Sequence, residues 1–190
     1  MMTPSCKQTH TLEGMIKLSS EGQRGQSGRL VSNDDFRAAM SRVVAPVAVV
    51  TTVVNHVPYG TTVSAFMSLS LNPPMIVVSL EATSCLLSML EIGSAIGLNV
   101  LAEGQAEEAR RFATKSKDKF ADVPWQHDAG AARLQQTHLW VAGYVTEMRP
   151  AGDHVLVLMN VQSTALAENS PMTYWQSSFG THAVLTSAGH

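Results

Sequence analysis

The sequence predicts a mainly β protein, a closed or nearly closed barrel with two or three short flanking helices. The clearest strand pattern is at residues 60–71, where apolar and hydroxyl side chains alternate, as they do when successive residues face opposite sides of a sheet. Pro73 and Pro74 interrupt the pairing ladder, and residues 75–80 resume as an apolar run typical of a strand buried on both sides. Many short strands with few helices favour a barrel over a doubly wound sheet.

The composition narrows the class of protein. The chain has 190 residues, enough for one domain, and its 13 basic and 15 acidic residues give no basic stripe for nucleic acid. No uninterrupted apolar run approaches the length of a membrane span. Only 15% of the residues are charged and 45% are hydrophobic, which predicts apolar surface buried against a partner chain. Cys6 and Cys85 are far apart and the seven histidines lack metal-ligand spacing, which predicts no disulfide framework, no metal site and a cytoplasmic location.

The first segment differs from the rest of the chain. Residues 1–31 are rich in Ser, Gly, Gln and Thr and nearly empty of large apolar residues. We therefore expect a disordered leader at 1–31, with Met15 as an alternative start, and one domain at 32–190.

Helical spacing begins after the leader. Ser32 and Asp35 form a capping-box pattern, and a helix whose apolar face includes Phe36 and Val44 is predicted to end at Pro46. A β-branched strand at 47–54 and a turn at 55–59 follow.

The elements after the central strands are shorter. Ser84 is a candidate N-cap for a short helix that ends at Leu90, before Gly93. A strand at 95–101 and a helix at 103–112 follow, and Glu107 lies at pairing distance from both Arg110 and Arg111.

The last third of the chain alternates as strands. A charged loop at 115–124 precedes strands at 134–147 and 154–161, which are joined by a turn at 149–153. Short strands are expected at 173–175 and 182–186.

The polar face of residues 60–71 has two interpretations. It could be the water-facing side of an amphipathic edge strand. However, solvated faces usually carry charged residues, and this face carries Thr62, Ser64, Ser68 and Ser70 with Phe66. Small hydroxyl donors beside an aromatic ring suit a flat, polar, neutral ligand.

The segment AFMSLSLNPPMIVVSL at 65–80 resembles the signature of the flavin reductase-like family, whose fold is the FMN-binding split barrel. Other matches follow in the family's order: PVAVVTT at 46–52, GLNVLAEGQ at 97–105, RRFA at 110–113, DKF at 118–120, AGDHVLVLMNV at 151–161 and, less closely, PMTYWQSSF at 171–179. The resemblance covers roughly residues 33–185. It implies a Greek-key split β-barrel and a homodimeric NAD(P)H:flavin oxidoreductase that reduces FMN or FAD for a separate oxygenase component.

The resemblance also implies which residues contact the flavin. The family places its flavin against the signature segment, the turn after the next strand and the strand of Asn99. The cofactor-binding residues implied in this way, with two stacking candidates, are Thr62, Val63, Ser64, Ala65, Phe66, Met67, Ser68, Ser70, Thr83, Ser84, Cys85, Asn99, Val100, Leu101, Phe120 and Tyr174. Phe112 and Phe179 are further stacking candidates, although single aromatic residues often belong to the core.

The resemblance assigns one residue to the nicotinamide. His154 follows Gly152-Asp153, and in the family the histidine of this motif lies near the nicotinamide. Hydride transfer needs no protein acid or base at the hydride, so His154 would orient the ring or polarise its carboxamide. On composition alone His154 would be a surface residue, and Ser84 could be a helix cap without a ligand.

Two other functions stay open: a flavoprotein that retains FMN and passes electrons on, and a flavin-binding module without nicotinamide turnover. The sequence has no G-x-G-x-x-G, so NADH, the expected donor, or NADPH would bind outside a Rossmann domain. Many relatives carry Arg or Lys in the turn at 81–85, whereas this chain has none there. We expect FMN to bind no more than about tenfold tighter than riboflavin, unless Lys115, Lys117 or Lys119 reaches the phosphate.

Overall fold

The structure is a computed structural model that describes residues 30–116 and 118–184. The predicted leader, apart from its last two residues, lies outside this part of the chain, as do Lys117 and the end of the strand predicted at 182–186.

Short strands make up most of the described residues, and the predicted mainly β class is confirmed. The strands are β1 Ala45–Pro46, β2 Ala48–Val54, β3 Val57–Val63, β4 Phe66–Leu71, β5 Pro74–Glu81, β6 Ala95–Val100, β7 Trp125–Asp128, β8 Ala131–Leu134, β9 Leu139–Ala151, β10 His154–Leu166, β11 Met172–Trp175 and β12 Ser178–Thr181. The helices are α1 Asn33–Met40 and α2 Ala106–Ala113, with one 3₁₀ turn at Leu87–Met89.

Seven strands form one antiparallel sheet in the order β3-β2-β6-β9-β10-β5-β4. The chain leaves β3 at one edge and enters β4 at the opposite edge, with only Ser64 and Ala65 between them. The Ser79 amide donates a 2.9 Å hydrogen bond to the Ala65 carbonyl, which ties this crossing to β5. The two edges are thereby brought together, which gives the predicted split barrel. Strands β1, β11 and β12 form a second sheet, and β7 and β8 form a hairpin.

Three clusters of buried apolar side chains pack against these sheets. The main core lies inside the barrel and includes Val50, Val78 and Val157, all fully buried. A second core, with Val49 and Phe112, packs α2 and the C-terminal strands against the outer side of β2. Trp140 and two buried alanines form a third, smaller cluster that includes a residue of the β7–β8 hairpin.

The prediction of one continuous strand at 60–71 was wrong. Val63 pairs with buried Ala48, so it points into the barrel and Thr62 and Ser64 point outward. Beyond the crossing, Phe66 pairs with buried Val78, so the inward parity changes. Met67, next to Val77, therefore points outward.

The faces and burial of β4 and β5 also differ from the prediction. Ser68 lies on the same face of β4 as Phe66, opposite to the face of Ser64. Met67 is 58% exposed and Leu71 is 88% exposed. A bulge between Ser68 and Ser70 adds a further register shift. β5 is buried only on alternate residues rather than on both sides.

The helices are shorter than predicted. Helix α1 ends at Met40 and buries none of its residues, because nothing in the described chain covers Phe36 or Met40. The helix predicted from Ser84 is only the 3₁₀ turn, and the residue before that turn is Leu86, with no side-chain cap. The Glu107–Arg111 pair of α2 is confirmed at 3.6 Å.

Several boundaries also differ. The turns between β2 and β3 and between β9 and β10 each have only two residues, Asn55-His56 and Gly152-Asp153. The β7–β8 hairpin was missed because β7 carries Gln, His and Asp and shows no apolar alternation. The final strand is Ser178–Thr181, and residues 182–184 form no strand. No helix among the described residues combines the length and apolar character needed to cross a bilayer.

Candidate functional site

The outward side of β3 carries two of the predicted flavin residues. The Thr62 hydroxyl donates a 2.7 Å hydrogen bond to the Ala109 carbonyl, which fixes α2 over the strand. Ser64 follows on the same side and is exposed. The hydroxyl of Thr62 can therefore only accept from a ligand, whereas Ser64 can donate as well.

A groove of about 600 Å³ lies beside this face, between α2 and the hairpin of β11 and β12. The small residues of α2 leave it open. Its lining residues are Val47, Thr62, Val63, Ser64, Ala106, Ala109, Arg110, Ala113, Tyr174, Ser177, Ser178 and Phe179. This volume lies in the range of small-molecule sites, about 300–1,000 Å³.

The groove combines one cation with two aromatic rings. Arg110 is the one charged residue among the described residues that line it. Its guanidinium carbon lies 5.1 Å from the centroid of the Phe179 ring, and the rings of Phe179 and Tyr174 are 5.3 Å apart. Hydroxyl groups, aromatic rings and a guanidinium suit a flat ligand that carries negative charge.

A second cation lies at the edge of the barrel. The Lys119 ammonium donates to the carbonyls of Gly60 at 3.1 Å and Phe112 at 2.9 Å. Burial lowers the pKa of Lys119, and the nearby thiol of Cys85 opposes that shift. A side chain at position 60 would have its Cβ only 3.0 Å from Phe112, so glycine permits this close packing. The charged loop is thereby joined to β3 and to α2.

His154 begins β10 on the outer side of the sheet, paired with Glu81. Its Nδ1 lies 2.7 Å from the carboxylate of Asp153, and this hydrogen bond lowers the pKa of Asp153. The Ala82 amide donates to the Asp153 carbonyl at 3.0 Å, which joins this turn to the turn after β5. Ser79, which binds the β3–β4 crossing, lies two residues before Glu81, about 7 Å along the strand. His154 and the crossing therefore share one outer region of the barrel.

The predicted flavin residues fall into separate groups. Thr62, Val63, Ser64 and Tyr174 line the groove together. Ala65 and Met67 point outward beyond the crossing, and Phe66 packs against the main core. Ser68 and Ser70 lie further along β4.

In the turn after β5, some of the predicted flavin residues already bond to other residues of the protein. The Thr83 hydroxyl donates to the Glu81 carboxylate at 2.8 Å. Ser84 is half-buried and Cys85 is exposed. Phe120 packs edge-on against Phe112, with ring centroids 4.8 Å apart.

The side chains of Asn99, Val100 and Leu101 are closed to a ligand, since none of these residues is more than 6% exposed. The amide of Asn99 donates to the carbonyls of Val49 and Ala132, and its oxygen accepts from the Leu134 amide at 2.8 Å. These bonds attach β8 to the barrel. The described residues contain no group of three His, Cys, Asp or Glu side chains that could hold a metal.

Sequence reasoning missed the position of Arg110. Its spacing from Glu107 was equally compatible with a surface ion pair, but Glu107 pairs with Arg111 and leaves Arg110 to face Phe179. The alanines at 106, 109 and 113 were a usable signal, because they put small residues along one side of the helix.

Comparison with known proteins gives one family for this chain. The family model described as a flavin reductase like domain matches residues 40–183. The reductase component of a 4-nitrophenol 4-monooxygenase/4-nitrocatechol 2-monooxygenase from Rhodococcus opacus is 31% identical and aligns over 77% of this chain and 79% of its own. A protein named actinorhodin polyketide dimerase, from Streptomyces coelicolor, is 38% identical over 81% and 88% of the two chains. An NADH:FMN oxidoreductase from Rhodococcus qingshengii is 36% identical, and the alignment covers 65% of this chain and 66% of that protein.

Solved structures agree with the sequence comparison. The flavin reductase PheA2 in its native state superposes with a TM-score of 0.75 and 26% identity, and the match covers 81% of this chain and all of that one.

Proposed function

The chain belongs to the flavin reductase-like family, and we propose that it is an NAD(P)H:flavin oxidoreductase that supplies reduced FMN or FAD to a separate monooxygenase component. The observation that carries this proposal is the groove beside β3, which brings together Thr62, Ser64 and Tyr174 in a chain of this family. The relative from Rhodococcus opacus is named as a reductase component, which supports a separate oxygenase as partner.

The residues around β3 fit a flavin. Its ring needs hydrogen bonds to a polar edge and a flat apolar surface. Ser64 and the backbone at the crossing offer the hydrogen bonds, and exposed Ala65 offers apolar surface beside them. When bound, the flavin supplies the redox chemistry by accepting a hydride from the nicotinamide. The protein's task is to hold the two rings in contact.

His154 would position the nicotinamide. Its imidazole is held by Asp153 through Nδ1, so Nε2 is left to contact the carboxamide. The Asp153 carboxylate fixes the orientation of the imidazole and takes no part at the hydride. NADH is the donor that we propose, in line with the relative named NADH:FMN oxidoreductase.

A second copy of the chain would cover the outer face of β4 and β5. Met67 is 58% exposed, and Leu69, at the bulge of β4, is 42% exposed. Met67 lies in a cross-strand row with Val77 and Leu158, so the face continues over three strands. An apolar sheet face of this kind is typical of a dimer interface. We propose a homodimer, and a cytoplasmic location in line with the few, widely spaced cysteines.

The test is NADH oxidation by purified protein, freed of flavin and then supplied with FMN, FAD or riboflavin. Turnover that requires added flavin, and transfer of electrons to oxygen or cytochrome c through freely diffusing reduced flavin, would support a reductase that uses flavin as substrate. A protein that stays yellow through gel filtration and bleaches with NADH would instead be an electron carrier with retained FMN. A yellow protein that NADH cannot bleach would be a binding module, and the proposal would be wrong.

A further inference from the structure

We propose that the wall of the groove formed by Arg110, Tyr174 and Phe179 binds an adenosine phosphate, the part that FAD and NAD(P)H have in common. This inference rests on the proposed function, because it names the part of a dinucleotide that the groove would receive. The turn after β5 and the residues of the β3–β4 crossing are left for the flavin ring and its first phosphate.

The charge in the groove is available to a ligand. The contacts of Arg110 are a 3.5 Å approach to the Ala106 carbonyl and the face of Phe179. In contrast, Arg111 binds Glu107 and the Ala121 carbonyl, and Lys119 binds two backbone carbonyls. The described lining of the groove includes no acidic residue. Arg110 is thus the cation that an anion in the groove would meet, and its planar fork matches a phosphate.

The aromatic pair beside Arg110 suits a base. Tyr174 is 38% exposed and Phe179 is half-buried, with a tilt of 54° between their rings. Stacking on Phe179 holds the guanidinium in place and leaves the Tyr174 ring partly open to the groove. Aromatic faces bind nucleobases with little dependence on which base is present, worth about 1–3 kcal/mol in single-stranded nucleic acids.

The groove also offers hydroxyls and space for a sugar. Ser177 and Ser178 line it at the turn between β11 and β12. On the opposite side Ala106, Ala109 and Ala113 have no bulk to fill it. An adenylate would place its phosphate at the cation, its base on the aromatic face and its ribose beside the hydroxyls.

The first experiment uses AMP as an inhibitor of the whole enzyme, with NADH as donor and FMN or FAD as acceptor. We expect AMP to inhibit at millimolar concentration. If the groove receives the adenylate part of FAD, AMP should compete with FAD and leave the KM for FMN unchanged. If the groove receives the adenylate part of NADH, AMP should compete with NADH whichever flavin is present. No inhibition by AMP at ten times the KM of either dinucleotide would overturn the inference.

The second experiment compares Arg110→Met with Arg110→Lys, which keeps the charge. Arg110→Met should raise the KM of the dinucleotide concerned by at least about tenfold, since a charge-assisted hydrogen bond contributes about that factor, and Arg110→Lys should recover part of it. Arg37→Met, on exposed α1, is the matched control. An equal rise in the KM for riboflavin, which carries no phosphate, would show that Arg110 shapes the fold and would overturn the inference.

These outcomes separate the inference from the proposed function. If the wild-type protein reduces riboflavin and FMN with NADH, but AMP and Arg110→Met have no effect, only the adenosine subsite is wrong. If no flavin is reduced, the proposed function itself is wrong.

Discussion

Lys119 and Gly60 are 59 positions apart in the sequence, yet the Lys119 ammonium donates a 3.1 Å hydrogen bond to the Gly60 carbonyl. Gly60 belongs to β3, at the edge of the seven-stranded sheet, where a strand has backbone groups that no neighbouring strand pairs. Lys119 also binds the Phe112 carbonyl on α2. One side chain therefore joins the sheet edge, the helix above it and the charged loop.

The first prediction concerns this contact. Lys119→Met should lower the free energy of unfolding by about 1–3 kcal/mol, because it removes two hydrogen bonds from a charged group. Lys115→Met, in the same loop at an exposed position, should change it little. Denaturant titration followed by tryptophan fluorescence measures both. If the two variants are equally stable, Lys119 does not support the sheet edge.

The same variant predicts a pH dependence. Burial lowers the pKa of Lys119 below its ordinary value of 10.5. At a pH between the folded pKa of Lys119 and 10.5, the unfolded chain binds more protons than the folded chain. The contribution of Lys119 to the free energy of unfolding is therefore present above pH 10.5 and is lost as the pH falls through the folded pKa. The stability difference between wild type and Lys119→Met should therefore increase with pH toward 10.5. A difference that stays constant up to that pH would contradict the burial of the ammonium.

The alternation at residues 60–71 predicted Thr62 and Ser64 on one side of a strand, and the structure agrees for these two. It did not predict that the chain would change edges at Ser64 and Ala65, because a period of two does not specify which strand is the neighbour. After the crossing the inward parity changes, so Ser68 is on the other face. Local pattern determined each short segment, whereas barrel closure determined how the segments combine.

Arg110 shows a second limit. Helical spacing puts two arginines within reach of Glu107, and only tertiary packing decides that Arg111 takes the ion pair and Arg110 stacks on Phe179. Asn99 shows a third limit, because its position in a motif indicated a ligand contact while its side chain is buried and bonded to the protein. Matching a motif locates the strand but not the direction of a side chain.

The two serines give a matched test of the flavin face. Ser64→Val should weaken flavin binding by about 1–3 kcal/mol, because a polar group of the ligand loses its partner. Ser68→Val should be nearly neutral for binding, since Ser68 lies on the opposite face of the sheet. Quenching of flavin fluorescence measures both affinities. Equal affinities for Ser64→Val and wild type would return this face to the interpretation as a solvated edge.

His154 should affect the nicotinamide step alone. His154→Ala should raise the KM for NADH or lower kcat while flavin affinity stays the same. Asp153→Asn should cause a smaller change of the same kind, because an amide still accepts a hydrogen bond from Nδ1. Steady-state kinetics and flavin titration are compared on the same preparations. A parallel loss of flavin affinity would mean that His154 maintains the structure of the turn after β5.

Asn99 should be important for stability and not for ligand selection. Asn99→Ala leaves the Leu134 amide and two buried carbonyls without their partner, so we expect a loss of about 3 kcal/mol. Asn169→Ala removes one exposed hydrogen bond and should cost less than about 1 kcal/mol. Thermal unfolding measures both variants. If Asn99→Ala weakens flavin binding at a temperature where it is fully folded, without a lower melting temperature, Asn99 contacts the flavin instead.

The outward face of β4 leads to the last prediction. Met67 is 58% exposed and points away from the barrel next to Val77, so in a homodimer it would be buried at the interface. Met67→Glu should dissociate the dimer, because a carboxylate without a partner is costly to bury. Ile92→Glu, at a 71% exposed position before β6, introduces the same charge outside this face and should leave the dimer intact. Sedimentation velocity at micromolar concentration measures the assembly. A wild-type protein that is monomeric under these conditions, or a Met67→Glu variant that remains dimeric, would show that the second copy does not cover this face.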